Sequence, residues 1–306
     1  DGGDLSLASS LFLVDGIAVL LSDDLSITGN SRLGWNNTFN LVATTFTMDN
    51  STLGSTSKSS PDEEIWANVT TEVSVRYSYF NVSYIFFTSR NTELFGVDYD
   101  IGLLNFSATN LMYLNSTTLD SDDIILSAGN LRSRDSTIEN FEITATKVYL
   151  YQSILQSSSS NIQIIANDLK IIESSIATNY LFYIDADVLY AVDTYLNAST
   201  SSGKLEIHSD SFVLSDSSIN VQGDVTIDAD EIDFDSFSIS ANHLELTTES
   251  DFTLDSNSDI EVVSGYLTAG YVKIYDSEVN FSFIEADRFY MYQSKVNYTC
   301  EDDLKC

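Results

Sequence analysis

The apolar positions of this chain follow one pattern that is laid out twice, end to end, over residues 269–296. The first copy reads AGYVKIYDSEV from Ala269 and the second ADRFYMYQSKV from Ala286. Each opens on Ala and places apolar residues three and five positions on, Val272 and Ile274 or Phe289 and Met291. A polar residue and Ser follow (Asp276-Ser277, Gln293-Ser294), and Val279 or Val296 closes the unit. Upstream of the anchoring small residue lies an alternating segment, as in FEITA up to Ala145, IQIIA up to Ala166, LEIHS up to Ser209 and VTIDA up to Ala229. Period-two alternation marks a strand with one buried face.

The template recurs at Ala43, Thr70, Ser89, Ala108, Ala128, Ala145, Ala166, Ala186, Ser209, Ala229, Thr248, Ala269 and Ala286, with Ser9 and Gly29 as looser matches. Thr248 needs one inserted residue, and the turn after Ala229 lacks the aligned Ser. A repeat of this period decides the fold before any motif does. Each unit holds three short strand-like pieces separated by two-residue bends. The expected fold is therefore all-β: a parallel β-helix with three strands per coil and roughly 14 coils of 17–23 residues. Equivalent residues of successive coils stack about 4.8 Å apart. Small Ala fits the inside of a tight bend, and the Ser column (Ser136, Ser153, Ser174, Ser217, Ser277, Ser294) is suited to satisfying backbone groups exposed at the next one. A single β-helix domain is expected over 1–299. Residues 1–42 are less regular, with 11–21 the candidate cap, and a polar loop is inserted at 54–64.

On these features the chain resembles the right-handed parallel β-helix superfold shared by pectate lyases, tailspikes and surface adhesins. The likeness covers roughly 43–297 and is architectural, so it implies a fold and no particular reaction. The chain also carries Asn-x-Ser/Thr glycosylation signals, such as those at Asn280 and Asn297, and trailing Cys300 and Cys306. In theme, a β-helix with these features resembles protist cell-surface and flagellar-hair (mastigoneme-type) glycoproteins.

Charge narrows the partners. Forty-six acidic against 13 basic residues give a net charge of −33, which argues against nucleic acid, anionic membranes and polyanionic substrates. An apolar content of 43% argues against disorder. The longest apolar run, 11–21, carries Asp15 and is too short to span a bilayer, so no membrane insertion is expected. Asp1 in place of Met suggests a mature or excerpted product. Cys300 and Cys306 either pair locally or begin a cysteine-rich module, and both readings suit an oxidising compartment.

Enzymes on this fold process polysaccharides with clustered carboxylates and basic residues. No repeat presents such a cluster; Lys147, Lys273 and Arg288 are outward without evident partners, and His208 and His243 face solvent with no second ligand nearby. A non-enzyme with no catalytic residues and no bound cofactor is expected. One position past the anchor, Asp187, Asp210, Asp230 and Glu249 form an acidic column, with Asn167 before it and Asp287 after it. That column is either a solvated face that discourages aggregation or an oxygen ligand set for Ca²⁺.

Asn-x-Ser/Thr sequons begin at Asn36, Asn50, Asn68, Asn81, Asn105, Asn115, Asn197, Asn280 and Asn297. Asn81, Asn197, Asn280 and Asn297 all fall eleven positions after an anchor, and Asn50 and Asn115 seven, which places both sets at outward corners. The expectation is a structural, N-glycosylated, extracellular or cell-surface rod that self-associates into filaments or joins flanking domains. The alternatives are an adhesin that uses outward Tyr149, Tyr151, Tyr190, Tyr275, Tyr290 and Tyr292, or a polysaccharide-processing enzyme.

Overall fold

Two consecutive outward residues are enough to turn an alternating strand into a coil. From Ile162 the inward side chains are Ile162, Ile164 and Ala166; Asn167 and Asp168 then both face out, and Leu169 and Ile171 face in again. A second outward pair, Ile172 and Glu173, precedes inward Ser174, Ile176 and Thr178. Strand hydrogen bonding runs unbroken through the Ala bend, within Ile162–Ile172, and stops at the Ser bend before Ser175–Thr178. The difference lies in the backbone: Glu173 has φ of 49°, in the left-handed region, which interrupts the ladder.

The computed structural model describes residues 3–14, 17–55 and 63–298. The chain is an all-β parallel solenoid of about 14 turns. Among the described residues no helix is long and apolar enough to cross a membrane. The chain divides into two compact units, Asp1–Lys147 and Val148–Cys306.

The first unit has an aromatic interior. Trp35 stacks on Phe39 at 4.8 Å, Phe87 lies between Phe46 and Phe106 at 5.8 and 5.2 Å, and Phe80 tilts against Tyr99 at 4.9 Å. Two polar atoms are sealed in with them, the Trp35 indole N–H and the Tyr99 hydroxyl, and neither has a hydrogen-bond partner. Burial raises the Tyr99 pKa well above its ordinary value, so the phenol stays neutral.

The second unit is filled by largely aliphatic columns, with Phe at a few levels, held in register. Ile164, Ile184, Ile207, Ile227, Leu246 and Leu267 stack coil on coil, as do Leu169, Leu189, Phe212, Ile232, Phe252 and Val272. Fully burying one such side chain is worth about 1.5–3 kcal/mol. A register slip would turn a whole column outward.

At the Ser bend the hydroxyl column has a defined bonding pattern. The hydroxyl donates to a carbonyl just before it, two residues back at Ser174 (Ile172, 2.7 Å) and Ser217 (Ser215, 2.6 Å) and three back at Ser31 (Thr28) and Ser258 (Asp255), both at 2.6 Å. It also accepts the N–H of the equivalent residue one coil earlier. The pairs in the first unit include Ser31 N–H to Ser51 and Ser51 N–H to Ser78, both at 3.2 Å. In the second unit Ser153 N–H donates to Ser174 at 3.1 Å, Thr194 to Ser217 at 3.0 Å and Ser258 to Ser277 at 3.2 Å. Thr117 and Thr194 fill the same position, and Phe237 stands where the aligned Ser is missing, packed on Phe234 at 4.6 Å. Without the hydroxyls these inward-facing N–H groups would be buried and unpaired.

Coils of unequal length are fitted together locally. An extra residue follows Ala108, and another follows Thr248, each registered as a shift against the next coil. At both places the next coil carries Gly just after its Ala. A Cβ on Gly129 would lie 2.8 Å from the carbonyl oxygens of Thr109 and Asn110, and one on Gly270 would lie 2.8 Å from that of Glu249. A further shift near residue 70 corrects the expected frame. Val69, not Thr70, is the buried partner of Ala43, and Thr70 is exposed on an extended bend. The offsets to Val73 and Val75 fit Thr70 only because the extra residue is hidden in that bend.

Ser217→Ala should lower stability by about 1–3 kcal/mol, because it orphans the Thr194 N–H. Ser217→Thr, which keeps the hydroxyl, should stay within about 0.5 kcal/mol of the parent in chemical denaturation. Tyr99→Phe removes an unpaired buried hydroxyl and should raise the melting temperature, with a gain of about 1 kcal/mol or more. A fall in melting temperature would mean that the hydroxyl has a partner in solution.

Candidate functional site

The outer surface follows the same register as the core, so residues of one outward column come together without any dedicated motif. Ala186 pairs with Ser209, Ser209 with Ala229, and Ala229 with Thr248, which puts Asp187, Asp210, Asp230 and Glu249 on one exposed line. The Asn167 amide donates to the Asp187 carboxylate at 2.6 Å, and the Thr248 hydroxyl donates to the Asp230 carbonyl at 2.6 Å. Among the described residues no three His, Cys, Asp or Glu side chains converge so as to hold a metal ion.

Two expectations about basic groups and histidines change. Lys273, expected to lack a partner, forms an ion pair with Asp251 at 2.5 Å and lies 4.7 Å from the Tyr271 ring centroid. Its register neighbours explain this, since Lys273 pairs with Thr253, two positions from Asp251 on the same outward face. His208 faces solvent as expected, with its side chain 42% exposed, whereas His243 is half-buried. His208 Nδ1 faces the Asp228 carboxylate at 3.8 Å, and His243 Nδ1 shares a hydrogen bond with the Ser264 hydroxyl at 2.8 Å.

Asp233 lies on the same face. Its pKa is raised, first by partial burial and then by Glu231, Asp235 and Asp255, with Lys273 opposing. A groove of about 550 Å³ follows the Ser bend of the second unit, lined by Asp193, Asp216, Asn257, Asp259 and the serines between them. Its acids are spread along the coils.

The sequons fall into distinct settings. Asn197, Asn280 and Asn297 each stand three residues after the hydroxyl residue of their coil, at Thr194, Ser277 and Ser294. Asn280 and Asn297 are exposed and directly paired in register, whereas Asn197 is half-buried. Asn81 pairs with Gly54 in the corresponding strand of the first unit. Asn36 is exposed in the bend before Thr38–Asp49.

Asn50 and Asn115 do not share a bend position. Asn50 is itself the left-handed residue, with φ of 45°, but in the coil of Asn115 that place belongs to Ser116, with φ of 50°. The extra residue after Ala108 moves Asn115 back by one. Asn68 and Asn105 lie within strands, exposed and half-buried respectively. Cys300 and Cys306 lie outside the described residues.

One feature was missed by reading the repeat alone. Trp66 and Phe86 stack face to face on the outside of the first unit, with ring centroids 4.0 Å apart and planes 9° apart. The available signal was Trp66 two residues before Asn68 in an alternating strand, which puts both side chains on one face. Of the outward tyrosines, Tyr275 and Tyr290 meet at 5.5 Å.

Searches against protein-family models, curated proteins and solved structures found no match.

Because the folded-state pKa of Asp233 is raised, its charge costs stability at neutral pH. That cost is relieved as pH falls through the raised value. Asp233→Asn should therefore melt higher than the parent at pH 7. Melts across a pH series should show the advantage shrinking as pH falls into the ordinary carboxylate range, and a constant advantage would contradict the assignment.

Proposed function

We propose that this chain is a non-enzymatic structural glycoprotein of the cell exterior, in which a stiff array of coils carries an outer coat of N-glycans and associates end to end. The observation that carries this reading is the last described coil. Phe289 and Met291 occupy the inward columns of Val272 and Ile274, which are fully buried, yet they are 47% and 48% exposed. In the first unit Phe12, in register with buried Leu33, is 47% exposed as well. Apolar columns of this kind are completed by a further coil, whether from residues that continue this chain or from a second copy, and a parallel edge accepts either without any change of fold.

The outward placement of Asn280 and Asn297 supports the coat, since glycans at these positions would displace no packed side chain. The high negative charge supports assembly confined to the ends, because outward columns of like charge repel sideways approach.

In sedimentation velocity the chain secreted from eukaryotic cells should show species that grow with concentration. Phe289→Asp should hold it at the smallest species while leaving its circular dichroism unchanged. Concentration-independent sedimentation of the parent would remove end-to-end association. A secreted chain whose mass is unchanged by peptide-N-glycosidase would remove the glycan coat.

A further inference from the structure

The stacked Trp66–Phe86 pair lies on an outer face where nothing in the fold requires it. Trp66 is 46% exposed, an unusual place for the largest apolar side chain. Its indole N–H donates to the Glu64 carboxylate at 2.7 Å, which fixes the ring plane. Around the pair is a concavity of about 330 Å³, bordered by Asn40, Val42, Asn68, Thr88 and Asn105. No charged side chain lines it. Two of those five residues, Asn68 and Asn105, open sequons (Asn68-Val69-Thr70 and Asn105-Phe106-Ser107).

We infer that Trp66 and Phe86 form a stacking platform for the first pyranose rings of an N-glycan borne by Asn68. This rests on the glycoprotein reading above and adds to it a specific site and its contacts. Asn68 is chosen over Asn105 because it is exposed and Asn105 is half-buried. The Thr88 hydroxyl donates to Asn68 Oδ1 at 3.3 Å, so the contact engages the oxygen and leaves Nδ2 to carry the sugar.

The bond forms between Nδ2 and the anomeric carbon of a sugar delivered as a lipid-linked glycosyl diphosphate. The amide loses one proton, and the diphosphate leaves with the carbon–oxygen electron pair. The C–H-rich face of a pyranose carries partial positive charge, which meets the negative face of the indole. The amides of Asn40 and Asn105 and the Thr88 hydroxyl supply partners for ring hydroxyls. Recognition of a quaternary ammonium ligand uses a cage of several aromatic rings, whereas two rings stacked on each other present only their flat outer faces. Tethering gives the sugar an effective concentration in the millimolar range without high intrinsic affinity.

The two tryptophans make this measurable, because Trp35 is fully buried and collisional quenching by acrylamide therefore reports on Trp66. The full chain is secreted from eukaryotic cells, and occupancy at each sequon is read by peptide mass spectrometry. With Asn68 occupied, quenching should be about half that of the enzymatically deglycosylated protein, since one ring face is covered. Trimming to a single residual sugar should keep the protection. Thr70→Ala, an exposed change that destroys the sequon and leaves Asn68 and Trp66 in place, should quench like the deglycosylated chain.

Equal quenching with Asn68 occupied and unoccupied would overturn the platform while leaving the glycoprotein reading intact. An empty Asn68 beside occupied sequons elsewhere would also overturn the platform alone, and empty sequons throughout would overturn both. Protection of the Thr70→Ala protein by free chitobiose at millimolar concentration would identify a surface for external saccharides and overturn the tethered assignment. No protection by free chitobiose or by tetramethylammonium is expected.

Discussion

The fold depends on one hydrogen-bonding problem at the Ser bend. A left-handed residue there turns the next N–H toward the interior, away from any strand carbonyl. The chain solves this with a hydroxyl from the following coil, as Ser217 does for Thr194. A buried donor left unpaired costs about 1–3 kcal/mol, comparable with the gain from burying a whole aliphatic side chain. The hydroxyl column therefore fixes the sequence as firmly as the apolar columns do. Ser and Thr suit the position because each can donate to its own bend and accept from the previous one.

This also explains what was legible in the sequence. The phase of inward positions was readable from Ala166, Leu169, Ile171 and Ser174, because columns stacked in parallel register must repeat themselves. The all-β parallel coil followed from that alone. Residues 70 and 115 were misplaced because a one-residue bulge at a bend leaves the inward pattern on either side unchanged. Val69 and Thr70 are both acceptable at an anchor by size, and only pairing with Ala43 separates them. Outward residues face no such constraint. The Trp66–Phe86 stack and the Lys273–Asp251 pair arise from register across coils, which the spacing within one coil does not announce.

The bulges show that neighbouring coils are coupled in the backbone as well as in the core. The extra residue after Ala108 pushes carbonyl oxygens toward the next coil, and Gly129 accommodates them; Thr248 and Gly270 repeat the arrangement. The glycine belongs functionally to the coil before it. A coil of this chain is therefore not freely exchangeable with another, even where both fit the same template.

The hydroxyl column also gives the array a direction. In these N–H to hydroxyl bonds the N–H belongs to the earlier coil and the hydroxyl oxygen to the later one, from Ser31 and Ser51 in the first unit to Ser258 and Ser277 in the second. The two faces of such a coil are thus chemically unlike, one offering an N–H group and the other a hydroxyl oxygen. Damage consequently appears out of place: loss of the hydroxyl at Ser258 leaves its own N–H bonded to Ser277 and strips the partner from Phe237. Such a lesion weakens the coil upstream of the altered residue.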